Sequence, residues 1–121
     1  MRERWEPVNG QEAHLEFARA AAKILADGAP IACPLCTASA LRFYCHKFDY
    51  EKNKGTIWVW CPTCRKWSHV SRLVMDFDYP DPYSDVAPGE FLSMERSNWL
   101  DRLNYLWEQN AIPIVLQVHS R

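Results

Sequence analysis

The sequence predicts a single α+β domain, a β-hairpin with a third strand flanked by an N-terminal and a C-terminal helix. Three observations predict it. Aromatic and β-branched runs lie on either side of a short polar turn near the middle of the chain. Apolar residues recur at helical spacing towards both ends. Two identical Cys-Pro-x-Cys motifs bracket the hairpin. With 121 residues the chain sits in the size range of one compact domain.

Residues 9–28 read as the first helix. Asn9 followed by Glu12 resembles a capping box, and Phe17, Ala18, Ala21, Ile24 and Leu25 supply a buried stripe. Gly28 and Pro30 provide the stop.

Residues 31–75 hold the cysteine motifs and the strands. Leu41–Tyr50 and Thr56–Cys61 form the hairpin across the turn Glu51–Gly55. The two-residue period of a strand puts Ile57 and Val59 on one face and Trp58 and Trp60 on the other. On the first strand Leu41, Phe43 and Cys45 oppose Arg42, Tyr44 and His46. Lys66–Val74 is the third strand, with Trp67, His69 and Ser71 on one side.

Residues 76–93 change character. The stretch Asp76–Glu90 carries five carboxylates, three prolines, three aromatic rings and no Lys or Arg, which predicts a long acidic loop. Residues 94–118 then give a second helix and a short closing strand. Ser93 is the candidate N-cap, Trp99, Leu100, Leu103, Leu106 and Trp107 form the stripe, and Ile114–Val118 is the strand.

Composition narrows the class. The chain is 48% hydrophobic and 24% charged, which excludes a wholly disordered protein. No apolar run approaches the roughly 20 residues of a membrane helix. The opening Met1–Glu6 lacks the apolar segment of a secretory leader, so the expected location is cytoplasmic. Charge is unevenly distributed. Residues 31–75 hold seven Lys/Arg against two carboxylates, net +5, and residues 76–121 hold three Arg against eight, net −5. Such a split bears on docking or on partners.

The cysteines carry the strongest chemical signal. Cys33 and Cys36 form one pair and Cys61 and Cys64 the other, with 24 residues between the pairs. Two residues between cysteines allow a tight turn to aim both sulfurs at one point, and four thiolates complete a tetrahedron. In a cytoplasmic chain this argues for one structural Zn2+ rather than disulfides, with a redox pair and unligated core thiols as the competing readings. Cys45 reads as an apolar core residue. His69 is a possible substitute ligand that four thiolates make unnecessary.

Catalysis is not expected. His14-x-Glu16 ahead of a Cys pair is part of the signature of zinc nucleobase deaminases, but that signature puts Pro before its first Cys. Here Pro34 and Pro62 follow their cysteines. A four-thiolate site also has no open position for an activated water. Four scattered glycines form no phosphate loop.

The run of knuckle, hairpin, knuckle and third strand resembles the zinc ribbons, over about Ile31–Val74. The resemblance implies a metal-held fold and no particular activity. The ending Asn98–Pro113 (NWLDRLNYLWEQNAIP) looks similar to the ends of small bacterial immunity proteins of polymorphic toxin systems. That resemblance implies binding and occlusion of a cognate toxin without catalysis.

Two partner classes follow. The first is a basic protein, such as that toxin, met by the loop residues Asp76, Phe77, Asp78, Tyr79, Asp81, Tyr83 and Asp85 through electrostatic steering and tyrosine contact. The alternative is nucleic acid, with Tyr44, Trp58, Trp60 and Trp67 stacking bases beside the basic ribbon. Opposing it, the whole protein is slightly acidic. No membrane partner is expected.

Overall fold

A computed structural model of the chain describes residues 4–27, 31–49, 51–74, 90 and 94–109. The architecture is α+β, a four-stranded mixed sheet with one helix near each end of the chain. The elements in order are β1 (Glu6–Pro7), α1 (Gln11–Asp27), β2 (Arg42–Asp49), β3 (Lys54–Cys61), β4 (Lys66–Val74) and α2 (Arg96–Glu108). The strand order is β1-β4-β3-β2. β2, β3 and β4 pair antiparallel, and β1 runs parallel to β4.

The hairpin register places Phe43 opposite Val59 and Tyr44 opposite Trp58. Alternation does the rest, because successive side chains leave opposite faces of a strand. One face presents Leu41, Phe43, Cys45, Ile57 and Val59, and these pack with Phe17, Ala20, Ala21 and Ile24 of α1. The other presents Tyr44, Trp58, Trp60 and Trp67, which pack with Trp5 and with Trp99, Leu100 and Leu103 of α2. The sheet is therefore covered on both faces, giving helix, sheet and helix layers. Trp107 packs against both clusters.

Several boundaries differ from the sequence expectation. α1 begins at Gln11, after Gly10, whose φ of +93° suits glycine and whose carbonyl accepts the His14 N–H at 3.1 Å. The turn is shorter than predicted. β3 already starts at Lys54, Asn53 adopts a left-handed φ of 53°, and the Asp49 carboxylate accepts the Lys52 N–H at 3.0 Å. The α2 cap is Glu95, whose carboxylate accepts the Asn98 N–H.

β1 was not legible in the sequence. Glu6 donates to the Arg65 carbonyl at 3.0 Å and Val8 to the Trp67 carbonyl at 2.9 Å. Pro7, which has no N–H, falls between these two donors, as an edge strand permits. The predicted stop at Gly28 and Pro30, the Ser93 cap, the acidic loop of residues 76–93 with its candidate contact residues and the strand Ile114–Val118 lie outside the described residues.

Candidate metal centre

The two knuckles are built alike. Cys33 and Cys36 sit in the turn before β2, while Cys61 ends β3 and Cys64 lies in the turn between β3 and β4. In the first, the Thr37 N–H donates to the Cys33 carbonyl at 2.9 Å; in the second, the Arg65 N–H donates to the Cys61 carbonyl at 2.8 Å. Thr37 and Arg65, each directly after the second cysteine of its pair, have left-handed φ values of 67° and 60°. That conformation is unfavourable for residues with a Cβ and marks a tightly determined turn. The Leu35 N–H points at the Cys33 sulfur at 3.4 Å.

The hairpin brings the knuckles together. Cys33 Sγ lies 3.8 Å from Cys64 Sγ, and Cys36 Sγ lies 3.6 Å from Cys61 Sγ. All four sulfurs fall within 4.8 Å of one another, an arrangement able to hold one metal ion. Cys33 and Cys61 are buried, while Cys36 and Cys64 are half-buried. The thiols are not equivalent. Burial pushes Cys33 and Cys64 above the ordinary thiol range, while a backbone hydrogen bond at Ala38 holds Cys36 below it. Buried thiolates repel one another and lose hydration, so a cation at their centre is what lets all four ionise together.

Among the described residues, the other sulfur and His14, His46 and His69 stand apart from this group. Cys45 is buried in the α1-side core, as expected of an apolar core residue. His69 stacks on Trp58, centroids 4.7 Å apart, on the sheet face that α2 covers. Burial pulls its pKa below the usual histidine range, and Arg96 and His14 lower it further. His46 is buried with Nδ1 3.3 Å from the Tyr44 hydroxyl. His14 Nδ1 lies 2.8 Å from the Ser68 hydroxyl, so the His14-x-Glu16 motif joins no metal-ligating group among the described residues.

The rings of the alternative base-stacking reading are buried. Tyr44, Trp58, Trp60 and Trp67 have relative exposures of 0%, 2%, 0% and 8%. Sequence alternation assigned the faces strand by strand, with Trp58 and Trp60 together, but could not say that all four rings share one face or that Trp99, Leu100 and Leu103 would cover it.

Sequence reasoning also missed Arg65. Its guanidinium lies over the Trp5 ring, 4.1 Å from the centroid, and 3.5 Å from the Asp101 carboxylate. Trp5 Nε1 donates to the same carboxylate at 2.8 Å. The only sequence signal was its position directly after the second knuckle.

Among the described residues no helix is long and apolar enough to cross a membrane. The chain matches no protein family, no curated protein and no solved structure in comparison searches.

Proposed function

We propose that the chain is a non-catalytic, zinc-containing protein-binding module with one structural Zn2+ held by Cys33, Cys36, Cys61 and Cys64. The observation that carries the metal assignment is the sulfur spacing. A tetrahedral zinc–thiolate site with bonds of about 2.3 Å has sulfur–sulfur edges of about 3.8 Å. The cross-knuckle pairs stand at 3.8 and 3.6 Å. An all-thiolate donor set favours zinc over hard cations and closes the coordination sphere, which suits a structural rather than a catalytic ion.

The partner reading is a basic protein, bound in the manner of an immunity protein that occludes a toxin. It rests on the sequence of residues 76–85, where Asp76, Asp78, Asp81 and Asp85 alternate with Phe77, Tyr79 and Tyr83. A nucleic-acid partner loses its stacking rings to the core and retains only the ribbon's charge as support.

The test has two arms. Metal analysis of the purified chain is expected to give one zinc per chain, and Cys33→Ser or Cys64→Ser to lower metal content and melting temperature together. Unchanged stoichiometry in these variants overturns the ligand set. In parallel, the zinc-loaded chain is used as bait in lysate of its source cells, with and without nuclease. One stoichiometric basic protein that survives nuclease supports the partner reading, and nucleic acid lost on nuclease treatment overturns it.

A further inference from the structure

The metal centre and the Trp-rich core lie on different parts of the sheet, yet one residue joins them. Arg65 directly follows the ligand Cys64, and its N–H closes the second knuckle on the Cys61 carbonyl at 2.8 Å. Its own carbonyl accepts the Glu6 N–H at 3.0 Å, which holds β1 to the sheet. Its guanidinium covers the Trp5 ring and reaches Asp101 of α2 at 3.5 Å. Neither partner of that ion pair is well hydrated, with side-chain exposures of 20% and 25%. Trp5 completes the clamp, since its Nε1 donates to Asp101 at 2.8 Å and its backbone N–H to the Ser97 hydroxyl at 3.2 Å.

The direction of the guanidinium depends on the backbone of Arg65, which holds a φ of 60°. A non-glycine residue stays there only when its surroundings over-determine it. Metal ligation by Cys61 and Cys64 supplies that constraint, because it fixes the two ends of the turn that Arg65 closes. Without the ion, the turn can relax to ordinary φ values, and the guanidinium swings away from Trp5 and Asp101.

We infer that metal occupancy controls the docking of α2 and β1 through Arg65, so that loading the four-cysteine centre seals the Trp-rich face and metal loss unseals it. The device rests on the metal-site reading above. It gives the unsealed state a definite chemistry: Trp5, Trp58, Trp60, Trp67 and Trp99 become accessible when α2 lifts, while α1 keeps its own contacts with the opposite face. A ligand set at one end of the sheet thereby sets the exposure of an aromatic surface beyond it.

Hydrogen exchange on the full chain tests this, comparing peptides from α1 and α2 with and without zinc. Metal content is measured on the same samples. In the wild type, metal removal is expected to speed α2 exchange about tenfold more than α1 exchange, the scale of a partly buried ion pair with a cation–π stack. Arg65→Gly tolerates the positive φ and removes the clamp; Asp101→Asn removes the ion pair from the α2 side, away from the knuckle. Both are expected to keep one zinc per chain while the α2 response to zinc shrinks to about twofold or less. Parallel loss of protection in α1 and α2 overturns the inference, as does a full metal response in Asp101→Asn. Absence of bound zinc in the wild type overturns the metal reading itself, a result the metal analysis separates from the other two.

Discussion

Asn104 of α2 collects donors from two neighbouring strands. Its Oδ1 accepts Trp60 Nε1 at 2.9 Å and Arg42 Nη1 at 2.8 Å. Asn104→Ala leaves an indole N–H and part of a guanidinium without that acceptor, and is expected to cost about 1–3 kcal/mol in chemical unfolding. A loss within experimental error would show that water replaces the acceptor freely. His69 gives a pH-dependent counterpart. Burial against Trp58 and Trp67, with Arg96 and His14 nearby, lowers its pKa in the fold. The unfolded chain therefore binds a proton at higher pH than the folded chain does. Stability contributed by neutral His69 is present above the ordinary value of about 6.5 and declines as pH falls through it. In His69→Gln, the drop in unfolding midpoint between about pH 7.5 and 5.5 is expected to be smaller than in the wild type; an equal drop would assign the slope to other groups. The shared side of Trp67 and His69 on β4 was legible in the sequence. The Asn104 contacts and the approach of Arg96 and His14 to His69 were not, because each joins residues from elements that only packing brings together.

At the level of elements, periodicity is informative where one face is buried. On α1, Phe17 is fully buried while Leu15 has a relative exposure of 47%. Phe17→Ala is expected to destabilise by about 3–5 kcal/mol, and Leu15→Ala by less than about 1 kcal/mol, measured by urea denaturation. Comparable losses would place the packed face of α1 elsewhere. The hairpin, β4 and the opposite faces of Ile57/Val59 and Trp58/Trp60 were legible because a two-residue period maps directly onto a sheet. β1 was not. Two residues including a proline give no pattern, and their strand conformation depends on carbonyls of Arg65 and Trp67 some sixty positions away. The cap of α2 was not legible for a related reason, since it is the Glu95 carboxylate that accepts the Asn98 N–H, a choice the backbone path makes.

For the molecule as a whole, the cysteine motifs were the most legible feature, because ligand spacing is a local property that survives without knowledge of the fold. The covering of both sheet faces was less legible, since both faces carry apolar side chains and sequence alone does not say which helix lands where. These two properties together govern how the protein responds to acid. The four sulfurs are arranged to hold one metal ion, and thiols must lose their protons to ligate, so protons compete with an ion held there. Cys33 and Cys61 also belong to the core that α1 covers, and Arg65 ties the second knuckle to α2. On the inference drawn from Arg65, metal loss withdraws support chiefly from the α2 layer, while α1 keeps its remaining contacts with the opposite face. On lowering the pH, release of the ion to a colorimetric chelator is expected to coincide with or precede the change in tryptophan fluorescence. Chelation at neutral pH is expected to lower the melting temperature, and added zinc to restore it. If fluorescence changed at a higher pH than metal release, the aromatic core would be yielding before the centre, and the ion would not be what holds the layers together.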